Sequence, residues 1–168
     1  VHPPIPALRN AGCVVGLGTD NNTQDMFEVM RTALRTERVA TENALSPQPE
    51  DVVECATMGS ARALDMDDQI GSLEIGKKAD LIMIDMMRAH LVPTMRIVSS
   101  WIHNGQPGDI QDVMVDGEWV MRDGLVLTVN EPDLIEEVDR IGRRAWSRMV
   151  EQHPDVSFSL NLSPPAGD

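Results

Sequence analysis

Apolar positions recur along this chain at two different periods, and the change of period predicts where helices give way to strands. Between residues 24 and 40, Met26, Met30, Ala33 and Leu34 repeat at spacings of three and four, with Phe27 and Val29 widening the stripe. That is the pattern of an amphipathic helix. Val52, Val53, Ala56, Ser60, Ala63 and Leu64 mark a second one, in which Gly59 predicts close packing by a neighbouring segment. Glu50 and Asp51 put negative charge at its start, where the helix dipole favours it. The longest stripe runs through Leu134, Ile135, Val138, Ile141, Ala145 and Met149. Asn130 is its expected cap, Pro132 is tolerated in its first turn, and Asp133 is a capping-box partner. His153-Pro154 ends it, and the tail through Ser163-Pro164-Pro165 reads as extended unless it lies on a partner. Two shorter helices are expected, one over residues 5–10 stopped by Gly12 and one over 94–103 through Met95, Val98 and Ile102.

Three other runs break the helical period. Residues 13–17 are apolar without alternation, as in a parallel strand covered on both faces, although so short a run also fits a piece of buried helix. Residues 71–78 are rich in turn formers, and residues 79–85 read as a strand with an apolar centre. Asp116-Gly117 and Asp123-Gly124 then punctuate a three-stranded meander over residues 113–129, because Asp-Gly supplies the positive φ of a two-residue hairpin. In a regular register, Trp119 and Met121 share one face.

Charge and length narrow the function. Fourteen basic against 27 acidic residues leave a formal charge of −13, which repels phosphate backbones and anionic lipid, so nucleic acid and membrane are poor partners. No apolar run reaches the roughly 20 residues of a membrane span. No charged stretch precedes an apolar run near Val1, so no signal peptide is read. Cys13 and Cys55 belong to no Cys-x-x-Cys pair; two buried-looking thiols suit a reducing cytoplasm. At 168 residues the chain can form one ordinary domain but falls short of a complete (β/α)8 barrel of about 250 residues.

The candidate chemistry stands at residues 18–22, Gly-Thr-Asp-Asn-Asn, directly after the apolar run. A carboxylate at the C-terminal end of a barrel strand is placed to act as a metal ligand or general base. Asp20 fits that position, and it fits equally a turn or cap residue. The Gly16-x-Gly18 spacing is no dinucleotide fingerprint, since the third glycine is missing and Asp20 would face a pyrophosphate.

Taken in order, the Gly-Thr-Asp strand end, the two helices, the stretch Gly-Ser-Leu-Glu-Ile-Gly-Lys-Lys-Ala-Asp-Leu-Ile from Gly71 and the Val-Asp-Gly hairpin from Val115 resemble the C-terminal part of the amidohydrolase superfamily. The likeness is to its cytosine-deaminase-like branch, with chlorotriazine hydrolases and adenosylhomocysteine deaminases. It implies an α/β fold: the end of a metal-dependent hydrolase (β/α)8 TIM barrel, part of a small composite β-sandwich and a C-terminal helix. The corresponding divisions are 1–65 for the last strand and flanking helices, 66–130 for the sandwich portion, and 131–168 for the helix and tail. It also implies that Asp20 is a metal ligand and proton shuttle, that Asn21 contacts substrate, and that the cofactor is one divalent ion, zinc first and iron as the alternative. The implied reaction is hydrolysis of a non-peptide carbon–nitrogen or related bond in an amino-substituted heterocycle by metal-activated water.

A catalytic zinc site ordinarily takes three protein ligands, and the histidines here are His2, His90, His103 and His153, with no His-x-His pair. Surface, capping or packing roles are expected for all four. The chain alone is therefore expected to be inactive without an N-terminal portion, and its expected association is a homo-oligomer or assembly with the missing part of the barrel. The rivals are a noncatalytic, self-associating module and a relative that has lost activity. Asp20 in a cleft beside histidines of another segment favours the first reading; Asp20 capping a helix or facing solvent favours a module.

Overall fold

A computed structural model describes residues 4–20 and 23–153. The chain divides into two units, Val1–Leu127 and Thr128–Asp168.

The first unit opens with helix α1 (Ile5–Asn10), which ends at Gly12 with φ +80°. Residues 13–19 follow without sheet hydrogen bonding. This corrects the expectation of a strand covered on both faces. Val15, Leu17 and Thr19 are half-buried, while Val14, Gly16 and Gly18 between them are exposed, so a strand-like alternation survives with only one face covered. The reason is the absence of a neighbour: among the described residues no strand runs beside the segment. Cys13, expected to be buried, is exposed for the same reason, and Cys55 is half-buried.

Helix α2 (Met26–Ala40) is capped by Asp25, whose Oδ1 accepts from Phe27 N at 2.8 Å. Helix α3 (Pro49–Glu54) starts where Asp51 Oδ2 accepts from Gln48 N at 2.7 Å. It continues through a π-helical turn, Cys55–Gly59, into α4 (Ser60–Ala63). Helix α5 spans Ile97–Asn104. The core lies among these helices, with Met30 and Leu34 of α2, Val52 of α3 and Ile102 of α5 buried together and Leu17 packed against them. Phe27 and Trp101 meet edge to face at a centroid distance of 5.7 Å.

Strands β1 (Leu81–Ile84), β2 (Ile110–Val115), β3 (Glu118–Arg122) and β4 (Leu125–Val126) form one antiparallel sheet in chain order. Both Asp-Gly pairs take positive φ at each residue, 51° and 84° for Asp116-Gly117, and 51° and 76° for Asp123-Gly124, as the expected turns require. The register is not regular. Val113 pairs with Met121 but Met114 with Trp119, which leaves Val120 as an extra residue. Trp119 and Met121 thus oppose adjacent residues of β2, which point to opposite faces, and the expected sharing of a face fails. Trp119 instead carries the Arg122 guanidinium 4.7 Å from its ring centroid.

The turn-rich stretch before β1 is held from both ends. Lys77 Nζ donates to Ser72 Oγ at 2.7 Å and pairs with Glu74 at 3.2 Å. Lys78 Nζ reaches Asp116 Oδ2 of the first hairpin turn at 3.0 Å.

The second unit, where described, is the single helix α6 (Glu131–Gln152). Asn130 Oδ1 accepts from Asp133 N at 3.5 Å and Asn130 Nδ2 donates to Asp133 Oδ2 at 2.7 Å, as the capping pattern predicts. Its surface carries ion pairs such as Arg143 with Asp139 at 2.7 Å. No residue of α6 is buried. The tail expectation for residues 163–165, and His2, lie outside the described residues.

Candidate functional site

The segment carrying Asp20 is fixed by unusually close backbone contact with the α3–α4 helix. A Cβ on Gly59 would sit 2.7 Å from Val15 O, and one on Gly16 would sit 2.9 Å from Ser60 Oγ. Both are too short for a real side chain, so glycine is required where the two segments touch. Between them, Leu17 N donates to Ser60 Oγ at 3.1 Å, and the same hydroxyl donates to Cys55 O at 2.9 Å. Ser60 thereby satisfies a backbone N–H that has no sheet partner. The Gly16-x-Gly18 spacing has its explanation here: Gly16 serves close packing, while a Cβ on Gly18 would meet nothing within 4 Å.

Beyond Thr19, whose hydroxyl lies 3.5 Å from Gln24 Oε1, Asp20 takes φ +53°. The left-handed region is unusual for a residue with a Cβ, and Asp is among the few that enter it readily. Asp20 is exposed and has no hydrogen-bond or ion-pair partner among the described residues. It caps no helix; Asp25 does that for α2. Asn21, expected to contact substrate, lies outside the described residues, as does Asn22. An exposed carboxylate is the arrangement named above as favouring a free-standing module, and geometry by itself leaves Asp20 without partners.

The histidines do not supply them. His90 Nε2 is 2.8 Å from Asp109 Oδ2, and Asp109 is only 4% exposed. Burial would raise the Asp109 pKa, but the His90 hydrogen bond and Gln106 N, donating at 2.8 Å, outweigh it and hold the carboxylate below its ordinary value. His103 stands near the end of α5, where burial, then the charges of Arg38, Arg35, Arg31 and Arg96, lower its pKa. His153 is the residue that follows α6. Among the described residues no three His, Cys, Asp or Glu side chains come together to hold a metal ion. The donors present here do not make a zinc site, and Asp20 fits one only as a single ligand.

A cleft of about 470 Å³ opens between α1, residues 15–19 and α2, lined by Ile5, Leu17, Val29, Thr36 and Cys55 among others. Arg9 crosses it, pairing with Glu37 at 2.8 Å and donating to Cys55 Sγ at 3.1 Å. Asp20 is not among its lining residues, so the cleft and the candidate carboxylate are separate. Asp109 and the arginines around His103 were not singled out from sequence. The spacing Arg31, Arg35, Arg38 along a helical stripe was a readable signal for the latter.

Comparison with known proteins supplies what the geometry lacks. The amidohydrolase family model matches residues 2–120. A 5-methylthioadenosine/S-adenosylhomocysteine deaminase from Syntrophobacter fumaroxidans is 37% identical over 144 residues, which is 83% of this chain and 33% of that protein. An adenosine deaminase from Xanthomonas campestris, solved with bound zinc, superposes with TM-score 0.81 at 28% identity, over 86% of this chain and 34% of its own. A zinc complex of atrazine chlorohydrolase from Arthrobacter aurescens has the same fold over 82% of this chain and 31% of its own, with TM-score 0.74 at 23% identity. These neighbours are amidohydrolase barrel enzymes, and the chain is a mixed helix and sheet portion of that architecture. It spans about a third of the length of the curated relatives it matches. The chain belongs to the amidohydrolase family.

Proposed function

We propose that the chain is the C-terminal portion of a metal-dependent amidohydrolase that deaminates an amino-substituted heterocycle of the adenosine type. Residues 1–65 contribute the last barrel strand with its helices, residues 66–130 part of a composite β-sandwich, and residues 131–168 the terminal helix. The observation that carries this reading is the amidohydrolase family match over residues 2–120, with 37% identity to the Syntrophobacter fumaroxidans deaminase. Within that match Gly18-Thr19-Asp20 ends a segment pinned by Ser60. Asp20 supplies one donor to a metal centre whose other donors come from outside these residues. A divalent ion held there by Asp20 and donors outside these residues, zinc before iron, would supply activation of water. The Asp20 carboxylate accepts a proton and returns it to the departing amine, and Asn21 beside it contacts substrate. Two free thiols fit a cytoplasmic setting.

A chimera tests this. Replacing the matching third of the Syntrophobacter fumaroxidans deaminase with this chain is expected to give a zinc-containing protein that releases ammonia from 5-methylthioadenosine. Asp20→Asn in the chimera is expected to lower kcat by at least about a hundredfold and to reduce zinc content, with an unchanged far-ultraviolet circular dichroism spectrum. Full activity in that variant, or ammonia release by the isolated chain, overturns the reading. The rival self-associating module draws on the apolar stripe of α6. A single monomeric boundary in sedimentation velocity across a wide concentration range removes that rival.

A further inference from the structure

Four of the 14 basic residues of this acidic chain lie on α2 or at the start of α5, the two packed helices that flank His103. Arg31, Arg35 and Arg38 stand at i, i+4 and i+7 on α2, one face of the helix, and α2 packs against α5. Arg31 donates from Nε to Ile102 O at 3.1 Å and from Nη2 to Gly105 O at 2.6 Å, so its guanidinium bridges the residue before His103 and the residue that follows α5. Arg38 donates from Nε and Nη2 to Pro47 O at 2.9 and 2.8 Å. Arg96 is the residue before α5, two turns ahead of His103 on the same face.

The cluster has little to neutralise it. Glu28 pairs with Arg31 at 3.5 Å and is the one acid ion-paired to these arginines among the described residues. The side chains of Arg35 and Arg96 form no hydrogen bond or ion pair with any described residue. Arg31 and Arg38 spend only part of their five N–H donors on carbonyls, which leaves donors over. Concentrated positive charge is unfavourable unless an anion relieves it. Guanidinium forks match the geometry of oxyanions, and several together match a dianion better than a lone carboxylate. The formal charge of −13 opposes a nucleic-acid backbone but not a small ion reaching a local positive site.

We propose that the face formed by Arg31, Arg35, Arg38, Arg96 and His103 binds a small phosphate-type oxyanion, as the free ion or as the monoester group of a small ligand. The site is independent of Asp20 and of any metal.

Nuclear magnetic resonance of the whole chain tests it, with the His103 ring signals assigned through His103→Gln. Inorganic phosphate and glycerol phosphate are titrated separately, each against sodium chloride at equal ionic strength. Saturable movement of the His103 signals, with its titration shifted upward by the bound anion, is the expected result. The double variant R35A/R96A removes no side-chain hydrogen bond or ion pair to a described residue; it is expected to keep the folded spectrum and to bind phosphate at least about tenfold more weakly. R35K/R96K is expected to restore part of the loss. Binding of phosphate alone identifies the free ion as ligand, and binding of both probes identifies the group carried on a small molecule. A response no different from chloride, or undiminished phosphate affinity in R35A/R96A, overturns the proposal.

Discussion

Helices α2 and α6 are equally amphipathic by sequence and have opposite fates. Phe27, Met30 and Leu34 of α2 are buried, Leu34 completely, whereas α6 buries none of its stripe. The difference lies in company. α2 has α3 and α5 beside it in its own unit, while α6 is the only described element of its unit. An apolar stripe states that a helix needs a partner; it does not state that the partner lies in the same chain. Residues 13–19 teach the same lesson within one segment, with Leu17 packed on the core and Val14 54% exposed on the other side.

The sharpest way to break this comparison is to truncate matching leucines. Leu34→Ala is expected to cost about 2–5 kcal/mol in chemical denaturation, since it empties a fully buried site. Leu134→Ala, on the 47% exposed position of α6, is expected to cost no more than about 0.5 kcal/mol. Equal losses would mean that the α6 stripe is covered in solution. Two glycines on one face of residues 13–19 are separated next. Gly16→Ala drives a methyl into Ser60 and is expected to lower stability by about 1–3 kcal/mol. Gly18→Ala enters open space and should leave the denaturation midpoint nearly unchanged.

A smaller effect comes from Asp109. Its folded-state pKa lies below the ordinary value, so the unfolded chain takes up the proton first as pH falls. The associated stability is present above the unfolded pKa, about 4, and is lost as pH drops from there through the depressed folded value. Asp109→Asn is expected to lower stability at neutral pH and flatten this acidic part of the profile, measured by thermal melts from pH 6 to pH 2.5. An identical acid profile in the variant would remove the assignment. The smallest effect is expected at Asp20. Asp20→Asn touches no partner and keeps a residue that tolerates φ +53°, so its melting temperature should match the parent. A clear loss would give Asp20 a structural role.

Much of the architecture was legible before any coordinates. The Asp-Gly turns, the Asn130 cap and the stripes of α2 and α6 are written in local chemistry that a short window contains. What escaped depends on neighbours far along the chain or absent from it. Nothing around residues 13–17 says that no strand will pair with them, so they read as buried and Cys13 with them. The extra residue at Val120 depends on a pairing offset with β2, which no periodicity within β3 records. Asp109 is 19 residues from His90 and reads as one more surface acid in a chain with 27 acidic residues. Asp20 was found by its place after an apolar run and by its neighbours in order, not by any partner visible here.

The π turn at Cys55–Gly59 adds a spacing constraint that substitutions alone would not expose. A π turn fits one more residue than an α turn, and this one lets Ser60, five residues on, reach Cys55 O while also receiving Leu17 N. Deleting a single residue from 55–59 would restore an ordinary helix and rotate everything beyond it by about 100°. Ser60 would turn away from Leu17, and Gly59 would no longer lie under Val15. The carboxylate at Asp20 is thus held in place by a length, one residue of helix, as much as by any bond.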